Sequence, residues 1–416
     1  MVRHGLAESY RRLLILLVIG VFFTNWATYA TLFVTPSFPT LYWAVVLAVL
    51  TLPLILMDPS SLRCLASPLV LWAILFIVIT AVYFLIIPGG DFQILKNRTF
   101  SVILILLFCA VFGRSLGSLH HARKLIFVAL LAGIALNVVD FLQLISFVPA
   151  SSPIANPGRA AGLYMNANES GCALLLGMIL TIGLVRAQWR AWFAVCVFVG
   201  VVLTFSRAAI LGWFLVIFLL WLQGYLRIRR IVAAIFLLTF LAVLAWPAIF
   251  GYLAGHAQYS NTQFRIEWFL APGAYRSGLS EQQRLEVFKA GWQLFLQQPI
   301  FGNGIGSTTT WYLPKSTHDM YLLFMDDYGA IGLLLYVMLP LSLIIGARGE
   351  GRRIAICVAV LLLFWGWFSH NELDNYYSLV AISLTNAIRT YLREPLAAAA
   401  SGHLPGAMAP MWQGGA

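Results

Sequence analysis

The sequence predicts an all-α, polytopic membrane protein of about twelve transmembrane helices, with one long polar segment late in the chain. Three observations carry this expectation. Of 416 residues, 61% are hydrophobic and only 10% are charged, more apolar surface than a soluble domain can bury. The apolar residues fall into runs long enough to cross a bilayer. The 26 lysines and arginines crowd into alternate connections between those runs.

The runs lie at roughly 13–33, 41–57, 68–88, 99–113, 125–147, 169–185, 190–205, 207–223 and 231–250, then 330–346, 354–369 and 376–392. Residues 1–250 therefore carry the first nine spans and residues 330–393 the last three. Residues 251–329 form the polar segment, with short helices in it. The tail, 394–416, is rich in Ala, Gly and Pro and is expected to be disordered.

A cytoplasmic N-terminus gathers Arg3, Arg11, Arg12, Arg63, Arg114, Arg123, Lys124, Arg186, Arg190, Arg227, Arg229, Arg230, Arg348, Arg352, Arg353, Arg389 and Arg393 on the inner side, as the positive-inside rule requires. Both termini are then cytoplasmic, and 251–317 lies outside. Lys96, Arg98, Arg159 and Arg207 remain as cations in short outer connections. The net charge of +11 thus reflects orientation, and no nucleic-acid partner is expected. The five cysteines form no CxxC or Cys/His cluster and read as small buried hydrophobes.

The polar residues on the outer side are the candidates for chemistry. Arg207 follows Ser206, a suitable N-cap for the next span. It reads either as an interfacial anchor or as an anion ligand beside a helix N-terminus. Arg159 sits in a turn-rich connection that ends in Asn166 and Asn168, both read as caps. In the polar segment, Ser280 to Gln283 resembles a capping box. Leu285, Phe288, Trp292, Phe295 and Leu296 then recur at helical spacing, and Pro299 stops the helix. Arg284 borders that stripe. Arg265 and Arg276 are further loop cations.

The run Gly302, Gly304, Gly306 lacks nucleotide-loop spacing and reads as a tight turn. His318 opens a helical run. It reads as a cap or as a titratable group near neutral pH. Asp319, Asp326 and Asp327 follow without a third ligand at metal-binding spacing, so no metal and no cofactor are expected. His370, with Glu372 and Asp374, occupies a short outer loop.

Together these elements resemble the family of bacterial O-antigen ligases, O-antigen polymerases and related oligosaccharyltransferases. The likeness rests on Ser206-Arg207 with Leu211, on Arg284 with Trp292 and the glycines 302, 304 and 306, and on His318 with Gly329 and Gly332. The Arg159 to Asn168 stretch is also similar to the family's. The resemblance implies a GT-C-like, metal-independent glycosyltransferase of the bacterial inner membrane with a periplasmic active site. Its donor would be a polysaccharide on undecaprenyl pyrophosphate, and its acceptor a sugar hydroxyl of the lipid A-core. His318 would be general base. Arg159, Arg207, Arg284 and Arg265 would hold the pyrophosphate, with Arg207 also acting in catalysis. The ordered alternatives are an O-antigen polymerase, a protein O-oligosaccharyltransferase and a lipid-carrier flippase. The last would want charges inside several spans, where this chain has few.

Overall fold

The computed structural model describes residues 2–391 apart from 114, 150–151, 153–157, 255–262, 264–266, 268–278, 310 and 314–316. The tail 394–416, Arg265 and Arg276 lie outside the described residues. The described residues are helical and include no strand.

Every predicted run is occupied by helix. The first is a bent pair, Gly5–Phe23 and Trp26–Val34, which turns by 58° where Asn25 adopts a left-handed φ of 61°. Its leading part, Val2–Leu17, is α1, and Trp26–Tyr29 is α2. Then come α3 (Thr40–Met57), α4 (Pro68–Ile86), α5 (Phe92–Phe112), α6 (Leu116–Phe141), α7 (Ala167–Thr181), α8 (Arg190–Leu203), α9 (Arg207–Leu222) and α10 (Ile228–Ala254). The late elements are α11 (Leu279–Gln297), α12 (Met320–Tyr328), α13 (Ala330–Ile344), α14 (Gly349–Trp365) and α15 (Tyr376–Tyr391).

Six of the described helices are long and apolar enough to cross a membrane, or up to seven if the bent pair is one span. The sequence suggested about twelve. The difference arises because α8, α9 and α13 are apolar but shorter, and α14 and α15 have only 17 and 16 residues. Length by itself separates them from the others, since all remain parts of one packed bundle.

The core lies around α7 and α15. The span Ala167–Leu184 is 78% buried, against 22% for Thr40–Met57, so α7 is central and α3 peripheral. α15 packs against α5, α7 and α14, and it is buried from Tyr376 to Arg389. Outward faces carry large exposed apolar side chains, such as Val49 and Leu56 on α3 and Phe240 and Val243 on α10. An apolar belt of that extent suits lipid contact.

The two ends of the bundle differ. At one end, Arg11 pairs with Asp58 at 2.5 Å and donates to the α5 carbonyls of Ala110 and Val111. Arg123 there pairs with Glu350 at 2.8 Å and donates to the Leu180 carbonyl. These guanidiniums satisfy helix C-termini, where a cation is favoured. Arg159, Arg207 and His318 sit at the opposite end, as the antiparallel course of α6 and α7 requires.

Arg98 departs from its expected place. It is no loop cation: α5 begins at Phe92, and Arg98 is 7% exposed. It forms a buried ion pair with Asp327 and donates to the Tyr328 hydroxyl. The pair makes a buried guanidinium tolerable.

Candidate functional site

Arg159 is held by the turn between α8 and α9. The backbone N–H of its neighbour Ala160 donates to the Leu203 carbonyl at 3.0 Å. Its own Nε donates to the Thr204 carbonyl at 2.9 Å, and its Nη2 to Asn168 Oδ1 at 2.8 Å. Asp140, at the end of α6, accepts from the N–H groups of Ala161 and Gly162 at 2.8 and 3.0 Å. The loop is therefore clamped on both sides of Ala160.

Arg207 begins α9 three residues beyond Thr204. Ser206 is the N-cap and accepts from the Ala209 N–H at 3.2 Å. Phe205, at φ 47°, makes the reversal that exposes this turn. The positive helix end repels the guanidinium, and Arg207 is exposed. Thus one arginine is half-buried and fixed, and the other projects beside free backbone donors suited to an anion.

Asn166 is the cap of α7 and accepts from the Asn168 N–H at 2.9 Å. Asn168 itself is the anchor of Arg159 rather than a cap. Sequence reasoning missed that role, because a cap and an anchor two residues apart have the same local signature.

His318 is not a cap either. Asp319 caps α12, accepting from Tyr321 N and Leu322 N at 2.7 and 3.2 Å. The imidazole belongs to the residue just outside the helix. The head of α12 is stitched to the end of α14. Met320 N donates to the Gly366 carbonyl at 2.8 Å, and the Tyr321 hydroxyl to Leu363 O at 2.6 Å. The loop that follows Gly366 brings His370 against His318, with ring centroids 5.3 Å apart in an edge-to-face arrangement.

The same loop reaches Arg159's anchor. Asn371 Nδ2 donates to Glu169 Oε1 at 3.0 Å, and Glu169 adjoins Asn168. Arg159 and His318 therefore hang on two pairs of consecutive residues: Asn168–Glu169 on α7, and His370–Asn371 in the loop.

Arg284 approaches from α11. The helix starts at Leu279, one residue before the expected cap, and ends before Pro299 as expected. It runs parallel to α12. A Cβ on Gly291 would stand 2.7 Å from Leu322 and 3.1 Å from Asp326, and the Pro299 carbonyl accepts from Ala330 N. Arg284 lies two turns back along the same helix. It is exposed.

The glycine run is the tight turn the spacing predicted. Gly302 has φ 74°, and a Cβ there would come within 2.5 Å of Gly329 N. The loop lies on the α12–α13 junction at backbone contact. Asp327 fixes it, accepting from Gly306 N at 3.0 Å and Ser307 N at 3.2 Å while pairing with Arg98. Asp327 is thus occupied structurally. Among the described residues no group of three or more His, Cys, Asp or Glu is placed to hold a metal ion.

Two buried carboxyls near this end are held neutral. Neither oxygen of Asp326 has a hydrogen-bond partner among the described residues. Burial, then Asp327 and Asp319, push its carboxyl up to about 8. Burial likewise pushes Glu372 up to about 8. The Tyr336 hydroxyl lies 2.9 Å from Glu372 Oε2 and 3.0 Å from the Leu362 carbonyl. One hydroxyl proton cannot serve both, so a protonated Glu372 completes the set. Burial also holds the His370 imidazole below its usual range.

No curated protein matches this chain. Residues 192–337 match the family model described as O-antigen ligase. The matched stretch contains Arg207, Arg284 and His318; Arg159 precedes it. Over that stretch the chain is similar to the O-antigen ligase family.

Proposed function

We propose that the chain is a metal-independent, inverting glycosyltransferase that moves O-antigen polysaccharide from undecaprenyl pyrophosphate to a sugar hydroxyl of lipid A-core. The observation that carries this reading is the gathering of Arg159, Arg207 and His318 at one end of an apolar bundle. Arg159 and Arg207 flank the α8–α9 turn and suit the two phosphates of the donor. Arg284 suits the same anion from α11; Arg265 is assigned there by resemblance alone. The pyrophosphate is a stable leaving group, so guanidiniums can stabilise its developing charge directly. His318 takes the proton of the acceptor hydroxyl as that oxygen attacks the anomeric carbon from the face opposite the leaving group. One displacement inverts the centre.

In this reading the bundle spans the inner membrane about twelve times, with a GT-C-like arrangement, cytoplasmic termini and the His318 end in the periplasm. The arginines at the Arg11 end support that orientation.

The lipopolysaccharide of a deletion strain tests the assignment. A ligase leaves bare core, with full-length polymer retained on the lipid carrier, and wild-type chain restores the ladder. Core bearing a single repeat would make the chain a polymerase instead. Normal lipopolysaccharide would remove both.

A further inference from the structure

We propose that His370 is the proton acceptor behind His318: the proton His318 takes from the acceptor hydroxyl leaves through His370 to water. This deepens the reading above and rests on it. The argument is geometric. The two rings lie 5.3 Å apart, centroid to centroid, at an interplanar angle of 64°. Imidazole nitrogens sit on the ring edges, so this spacing allows transfer directly or through one water.

The pairing is built into the backbone. His318 precedes Met320, whose N–H is bonded to Gly366; His370 follows Gly366 by four residues. The Tyr321 ring also packs, tilted, against Trp367 of the same loop, with centroids 4.9 Å apart. Ser369 Oγ donates to Asn371 Oδ1 at 2.5 Å, and Asn371 in turn holds Glu169. His370 is thus fixed on both sides, and it is half-buried, with a face toward solvent.

The charged and titratable groups around the pair are Asp319 and Tyr321 on α12, Glu169 on α7, Glu372 and Asp374 in the loop, and Arg159 through Asn168. Glu372 is held neutral and Asp319 is committed to two backbone donors, so neither is placed to take the proton. Burial disfavours the charged His370 ring, so it is neutral at rest and holds the proton only in passing before water takes it.

The step balances. The acceptor O–H bond breaks as its oxygen bonds the anomeric carbon. The carbon–oxygen bond to the pyrophosphate breaks, and the electron pair leaves with the phosphate. The proton passes from His318 to a His370 nitrogen and then to water. His370 therefore acts through His318 and is a positioning residue.

The test uses the full-length protein, purified with ¹⁵N-labelled histidine. Nitrogen NMR follows the His318 signals, assigned by their loss in His318→Ala. The pair should titrate in two coupled steps in wild type, and His318 in one step in His370→Ala. Identical His318 titrations in both proteins would overturn the proposal.

Transfer is then measured with a defined polyprenyl-pyrophosphate donor. His370→Ala should lose roughly 10- to 100-fold in kcat, as for groups that support a reacting side chain, with donor KM unchanged. Added imidazole should restore part of the rate. His370→Asn keeps a polar side chain without a titrating nitrogen, and should show the same altered pH profile. A wild-type profile in His370→Asn would reduce His370 to a packing residue. Full activity in His318→Ala would sink the general-base reading alone, and the coupled titration would still report on the pair.

Discussion

Arg98 and Asp327 form an ion pair buried between α5 and α12 although 229 residues separate them. Asp327 adds the N–H groups of Gly306 and Ser307, so one carboxylate joins an early helix, the glycine turn and the helix that His318 precedes. The pair is a positional device for the candidate site rather than part of its chemistry.

Removing one partner leaves the other charged and buried. Arg98→Met or Asp327→Leu should each destabilise the protein by about 3–5 kcal/mol. Thermal unfolding of the detergent-purified protein reads this out. A loss under 1 kcal/mol would mean that solvent reaches the pair.

His318→Ala should lose about 10²–10⁴-fold in turnover while the protein still folds and binds donor. Wild-type rate should fall on acidification, because a protonated ring cannot accept the hydroxyl proton. Arg207→Lys keeps charge but loses the fork, and should be severely impaired. Arg159→Lys cannot reach both the Thr204 carbonyl and Asn168, and should fail similarly. Near-normal transfer by Arg207→Lys would make that residue an interfacial anchor.

The sequence made much of this visible, and its failures have physical causes. All twelve apolar runs coincide with helix, because hydrophobic length is a local property. Ser206, Asn166 and the stop before Pro299 were readable for the same reason. The Arg98–Asp327 pair was not, since burial of a charge depends on a partner far along the chain. Asp319, rather than His318, caps α12, a distinction of one residue that side-chain chemistry alone leaves open. His318 and His370 could each be singled out, but their contact comes from the stitching of α12 to the end of α14.

Glu372 should make stability depend on pH. Its folded-state carboxyl is raised to about 8 above its ordinary value near 4.3. Its contribution is therefore complete below the ordinary value and is lost as pH rises toward 8. Asp326 acts in the same direction. Glu372→Gln should raise the melting temperature at pH 8 relative to wild type and flatten its pH dependence. An unchanged slope between pH 5 and 8 would show that Glu372 is ionised in the folded protein.

Gly302→Ala should lift the glycine turn from the α12–α13 junction. The added Cβ meets backbone at 2.5 Å, and φ is 74°; overpacking of that kind typically costs about 1–3 kcal/mol. Faster proteolysis between Pro299 and Ser307 is the expected signature. Wild-type protection would mean the junction yields without detaching.

Transfer by the purified protein should survive EDTA, since guanidiniums can carry the leaving-group charge. Loss restored by magnesium or manganese would call for a cation at the donor phosphates.

The separation of Arg98 from Asp327 also sets a timetable for synthesis. At about 5–20 residues per second, Arg98 leaves the ribosome roughly ten to fifty seconds before its counter-ion. Through that interval α5 carries a guanidinium with no carboxylate to meet it, and its head must stay at the hydrated boundary of the bilayer. The helix can settle to its final depth only once α12 arrives. A late part of the chain thus completes a contact of an early helix, and a nascent chain halted before Asp327 would leave Arg98 without this partner.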